Sequence, residues 1–149
     1  MKQNNKTNNT RTIEVGKFYL IFDGSRTGHP GFIVSKNEEK NRFLVVITES
    51  DKFGNVSKRE ADKRHLTDLN YPTQKNVARS YIKNRPMLCR RRDIGKKELN
   101  GMYFHKKDME KVLYVSKQKP VLSPSNKKTT DEPTRSQRVP VVSLLNQVF

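Results

Sequence analysis

Gly28-His29-Pro30-Gly31-Phe32-Ile33-Val34-Ser35 and, after a charged connection, Phe43-Leu44-Val45-Val46-Ile47-Thr48-Glu49-Ser50 are the two stretches that decide how this chain folds. Each carries an apolar run too short for a typical helix and suited to a buried strand. The segment between them, Lys36-Asn37-Glu38-Glu39-Lys40-Asn41-Arg42, is polar throughout, so the pair reads as an antiparallel hairpin with its charges in the connection. In such a pair the start of the first strand lies beside the end of the second. His29 and Thr48 are therefore expected at one edge of the sheet, an imidazole and a hydroxyl in one cleft.

Composition sets the frame around the hairpin. A chain of 149 residues is enough for one domain with tails and a modest core. Only 32% of the residues are hydrophobic, and 31 Lys and Arg against 15 Asp and Glu give a formal charge of +16. Such an excess speaks about partners rather than fold. A polyphosphate is the leading partner, because neutralising phosphates releases counterions. An anionic membrane surface would meet the same charge, but Tyr19, Phe32, Phe43, Phe53, Tyr71, Tyr81 and Tyr103 are interspersed among the basic residues. Stacking faces mixed with cations suit single-stranded RNA better than lipid. Phe53 and Tyr71 sit in loop-like contexts and are expected at the surface.

The single cysteine, Cys89, excludes an internal disulfide. No apolar run approaches the ~20 residues of a spanning helix. Met1 to Thr12 has no apolar core of a secretory signal, and a cytoplasmic protein is expected.

Residues 1–13 are polar and expected to be a disordered tail. Val15 to Phe22 is almost continuously apolar and reads as a strand covered on both faces. Asp23 to Gly28 is a glycine-containing loop whose Arg26 adds charge beside His29, and Pro30 biases His29 towards an extended backbone. Asp51 to Lys63 is highly charged, with Gly54-Asn55 as its turn, and is either a surface lobe or a flap over the cleft. Short strands are expected at Arg64 to Leu69, Val77 to Ile82 and Met87 to Arg92. Alternation along the last would put Arg90 and Arg92 on one face, a phosphate track. Met109, Val112 and Leu113 recur at helical spacing and predict one short helix from about Lys106 to Val115, with His105 or a neighbour as its cap. From Ser116 to Pro140 the composition becomes that of a linker. Val141, Leu144, Leu145 and Val148 then fall on one helical face, so a short docking helix is expected at residues 141–149, either packing back on the domain or binding a partner.

One cysteine and three scattered histidines make no zinc set, and no phosphate-cradling glycine motif is present. Glu38-Glu39 reads as a solvated turn. Glu49 and Asp51 have lysines close behind them that would pair with them. His65 and His105 read as surface or capping residues, and Cys89 as inert packing despite its arginine neighbours.

Gly16-Lys17-Phe18-Tyr19, Gly28-His29-Pro30-Gly31-Phe32-Ile33-Val34-Ser35 and Val45-Val46-Ile47-Thr48, in this order, resemble the MazF/PemK family of toxin endoribonucleases from toxin-antitoxin modules. Members have a first strand after a glycine, a Gly-x-Arg-Pro start to the next buried strand, and a later strand ending in threonine or serine. The resemblance runs more loosely through Ser80-Tyr81-Ile82 and Gly101, over residues 15–116. It implies a mostly β small Src-homology-3-like barrel over residues 14–116, with short α and a C-terminal helix, flanked by the basic tail at 1–13 and the basic linker at 117–149. It also implies a homodimer that cuts single-stranded RNA without a metal or other cofactor, with an antitoxin protein as a candidate partner. Carried over by position, the catalytic arginine and threonine become His29 and Thr48. His29 departs from the family's arginine, Val46 stands where a proline is usual, and Glu49 where serine is common.

Histidine can exchange a proton with either reacting oxygen near neutral pH, whereas arginine supplies a fixed charge and a planar fork. His29 is then the expected acid or base, Thr48 a hydrogen-bond donor, and Arg26, Ser50, Lys52, Phe53, Arg90 and Arg92 the residues that hold the RNA. The alternative on the same barrel is a non-catalytic nucleic-acid-binding module, including an accessory protein of a mobile element that recruits DNA.

Overall fold

The computed structural model describes residues 12–126. The expected tail at 1–13, apart from its last two residues, and the docking helix at 141–149 lie outside the described residues.

The architecture is a mostly antiparallel β-sheet with short helices. Its strands are β1 (Phe18–Ile21), β2 (His29–Asn37), β3 (Arg42–Asp51), β4 (Leu66–Asp68), β5 (Arg79–Lys83), β6 (Met87–Cys89), β7 (Ile94–Glu98) and β8 (Val121–Leu122). Helix α1 spans Lys58–Lys63 and α2 spans Met109–Ser116, the latter preceded by a 3₁₀ turn at Lys106–Asp108. The main path through the sheet is β4-β5-β3-β2-β1-β7. Its two end strands, β4 and β7, do not pair with one another among the described residues.

β3 is the organising strand. One edge pairs with β2 in the predicted hairpin, with Gly31 opposite Ile47 and Phe32 opposite Val46. The other edge pairs first with β6, through Phe43 to Val45, and then with β5, through Thr48 to Asp51. Alternation along β3 feeds two separate cores. Phe43, Val45 and Ile47 join Ile13, Tyr19, Ile21, Ile33, Cys89 and Ile94. Val46 points the other way and meets Ile82, Leu69 and, on α2, Val112 and Val115. Burying each such side chain stabilises the fold by about 1.5–3 kcal/mol. In the first core the sheet closes on Gly31, where an added Cβ would fall 2.5 Å from both Ile21 Cγ1 and Val45 Cγ1.

The predicted helix forms where its period indicated. His105 caps its leading turn by accepting from the Lys107 amide at 3.0 Å, and stacks on Tyr71 with 3.9 Å between ring centres. Asp108 is fully buried and accepts from the amides of Asn70 and Tyr71 at 2.8 and 3.0 Å, tying the helix start to the loop after β4. Leu113, although on the predicted apolar spacing, is half exposed.

Three sequence expectations change. Ile13, assigned to the disordered tail, is fully buried in the first core. Val121 and Leu122, assigned to the linker, form β8 and pair in parallel with Met87 and Leu88, because β6 has a free edge there. Arg85 secures that strand by donating to the carbonyls of Lys119 at 2.7 Å and Pro120 at 3.2 Å. The charged segment after β3, read as a surface lobe or a flap, contains a capped helix: Asp51 accepts from the amides of Asn55 and Val56, and Ser57 caps α1 through the Glu60 amide. Finally, β6 ends at Cys89, and Arg91–Asp93 is a 3₁₀ turn. The alternation that was to align Arg90 with Arg92 therefore stops short of both.

No helix among the described residues is long and apolar enough to cross a membrane.

Candidate active site

His29 opens β2, and its ring is part exposed at the sheet edge. Its Nδ1 lies 2.7 Å from Asp23 Oδ2. Asp23 is presented by the loop before β2, where Ser25 donates to Asp23 Oδ1 from its hydroxyl at 2.7 Å and from its amide at 3.1 Å. The Ser25 hydroxyl in turn accepts from the Gly28 amide at 3.0 Å. Gly28 completes the turn at φ +78°, and a Cβ there would fall 2.7 Å from the Ile21 carbonyl oxygen. These hydrogen bonds hold the loop in a compact turn that delivers a carboxylate to the imidazole.

On its other side the ring faces Glu49, with Nε2 and Oε2 3.8 Å apart. Continuing the β2–β3 register beyond Gly31 and Ile47 sets His29 opposite Glu49 and Pro30 opposite Thr48. Glu49 is also the meeting point of two further cations. Lys83, at the end of β5, places Nζ 3.0 Å from Oε2, and Arg64, which follows α1, pairs with Oε1. The Arg64 backbone N–H donates to the Glu60 carbonyl at 3.0 Å, and α1 is anchored by Ala61 packing with Leu66 and Tyr81.

Burial would push the Asp23 carboxyl up, but the hydrogen bonds from His29 and Ser25 outweigh it and hold it well below the ordinary carboxylate range. The hydrogen bond to Asp23 pushes the His29 pKa up; burial opposes this, the charges of Asp23 and Glu49 add to it, and Lys83 subtracts. The imidazolium therefore persists to higher pH than in a free histidine. Its Nδ1 proton is engaged by Asp23, which leaves the Nε2 proton facing Glu49.

Beside this group lies a cavity of about 510 Å³, lined by the charged side chains of Asp23, Arg64 and Lys83 and by the apolar Ile47, Met87 and Val121.

Thr48 is not in the cleft. It is fully buried, and its hydroxyl donates to the Pro30 carbonyl at 3.0 Å. Alternation along β3 explains the correction: Ile47 and Glu49 share the face that His29 reaches, and Thr48 points to the other. The other expected RNA-binding residues scatter. Arg26 is exposed in the loop before His29. Ser50 is exposed and accepts from Gln74 Nε2 at 3.1 Å. Lys52 lies 5.6 Å from the ring centre of Phe53, which is 75% exposed and so available for stacking. Arg90 is engaged with Asn126 Oδ1 at 2.8 Å, and Arg92 is exposed in the 3₁₀ turn. Cys89 is buried, and burial pushes its thiol up, so the neighbouring arginines do not activate it.

Asp23, Glu49, Arg64 and Lys83 were missed by sequence reasoning. Two of them left a signal. Asp23-Gly24-Ser25 has the composition of an Asx turn, and strand alternation, applied to the hairpin, selects Glu49 over Thr48 as the residue facing His29. Arg64 and Lys83 arrive from α1 and β5 and left none.

No protein-family model, curated protein or solved structure matches this chain.

Proposed function

We propose that this protein is a metal-independent endoribonuclease acting on single-stranded RNA, of the toxin type that its hairpin resembles, with His29 and Glu49 as the reacting pair. The observation that carries the proposal is the convergence of a carboxylate-held imidazole, a second carboxylate and two further cations on one cleft edge, with His29 Nε2 3.8 Å from Glu49 Oε2.

Cleavage of RNA by its own 2′-hydroxyl needs three things: a base for that hydroxyl, an acid for the departing 5′-oxygen, and positive charge for the phosphorane. Glu49 accepts the 2′-hydroxyl proton while the 2′-oxygen bonds to phosphorus. The bond from phosphorus to the 5′-oxygen breaks, and His29 donates its Nε2 proton to that oxygen. The products are a 2′,3′-cyclic phosphate and a 5′-hydroxyl. Arg64 and Lys83 move from Glu49 onto the non-bridging oxygens, and Asp23 keeps the imidazole oriented. The change of β3's partner from β6 to β5 supports the finer architecture, a partly open Src-homology-3-like barrel. An antitoxin-type protein and a second copy of the chain are the protein partners this proposal carries.

The test is incubation of the full chain with a long single-stranded RNA in excess chelator. Cutting is expected, with a loss of about 10²-fold or more in His29→Ala, the usual contribution of a positioned proton donor. RNA bound but uncut by the wild type would replace the enzyme with a nucleic-acid-binding module. Tighter binding to duplex DNA than to RNA would point to a DNA-recruiting accessory role.

A further inference from the structure

We infer that the cavity beside the His29–Glu49 pair is a nucleotide pocket, and that Asn84 is the residue in it that recognises the base. The inference rests on the proposed RNA chemistry for where the phosphate sits, but not for the pocket itself. At about 510 Å³ the cavity lies within the range of small-molecule sites. Its lining divides by chemistry. Ile47, Met87 and Val121 offer apolar surface suited to a flat ring, while Arg64 and Lys83 supply cations suited to a phosphate. The one carboxylate in the lining, Asp23, is already engaged by His29 and Ser25. An apolar slot bordered by cations selects a ligand with a ring at one end and an anion at the other.

Asn84 adds the polar contact. Its amide nitrogen on the main chain donates to the His65 carbonyl at 2.9 Å, and its side-chain Oδ1 accepts from the Thr67 hydroxyl. The side-chain NH₂ has no protein partner among the described residues. Asn84 is exposed in the cavity lining, so this donor is open to a base that presents a carbonyl or ring-nitrogen acceptor. Arg85, also in the lining, is spent on the Lys119 and Pro120 carbonyls, and so acts by holding β8, which carries Val121.

The experiment titrates the four nucleoside 3′-monophosphates, inorganic phosphate and the four free nucleosides into the full chain, reading backbone amide shifts. At least one nucleotide is expected to move the amides of Ile47, Asn84, Met87 and Val121, while inorganic phosphate moves those of Arg64 and Lys83 alone. Asn84→Ala should weaken that nucleotide about three- to tenfold, the worth of one hydrogen bond. Unchanged affinity in Asn84→Ala, or nucleotide shifts no different from those of phosphate, would overturn the pocket. Pocket binding with uncut RNA would overturn the nuclease and keep the pocket; cut RNA without pocket shifts would do the reverse.

Discussion

Replacing Asp23 by asparagine tests whether the loop before β2 sets the charge state of His29. The substitution keeps the size and a hydrogen-bond acceptor but removes the negative charge 2.7 Å from Nδ1. An opposite charge this close favours the protonated imidazole. Solvent moderates the effect here, because the imidazole is 28% exposed, and Glu49 remains 3.8 Å from Nε2. The His29 pKa should therefore fall in Asp23→Asn, and loss of the charged pair should cost about 1 kcal/mol. The same linkage fixes the pH dependence of stability. His29 is raised, so its contribution is complete below its ordinary 6.5 and is lost as pH rises through the raised value. Asp23 is lowered, so its contribution is present above its ordinary 3.8 and is lost as pH falls through the depressed value. The variant should thus be most destabilised between these ordinary values, by about 3–5 °C in Tm, and the gap should narrow above the raised His29 pKa. The assay is an NMR titration of the His29 ring protons, paired with thermal unfolding across pH. An unchanged His29 pKa in Asp23→Asn would refute the coupling.

Two further substitutions probe the scaffold. Thr48→Val keeps the shape of a fully buried side chain but leaves the Pro30 carbonyl without its 3.0 Å donor, and should cost about 1–2 kcal/mol in denaturant unfolding. Gly31→Ala would drive a methyl into Ile21 and Val45 and should cost about 1–3 kcal/mol or more, read as a lower midpoint at unchanged slope; a neutral result would mean that the first core has room to spare.

The hairpin was legible because its signal is local: two apolar runs and a polar connection specify β2 and β3 without reference to anything else. The helix was legible for the same reason, from the spacing of Met109 and Val112, although Leu113 in the same pattern is half exposed. His29 was legible as a sheet-edge residue because Pro30 dictates its backbone. Its partner was misread because strand alternation, which separates Thr48 from Glu49, was not applied at the hairpin's end. Arg64 and Lys83 were hidden for a deeper reason. They come from elements 15 and more residues away from Glu49, and only the β3–β5 pairing and the seating of α1 bring them in. β8 was hidden similarly, since two apolar residues in a Lys-, Ser- and Pro-rich stretch become a strand only when the edge of β6 is there to receive them.

The most direct measurement of the central claim compares Glu49→Gln with Thr48→Val on one single-stranded RNA in chelator, with end-group analysis of the fragments. The account predicts fragments ending in 2′,3′-cyclic phosphate and 5′-hydroxyl, a loss of about 10²-fold or more in Glu49→Gln, and a rate per folded molecule in Thr48→Val close to wild type. Cutting that survives in Glu49→Gln and disappears in folded Thr48→Val would contradict it.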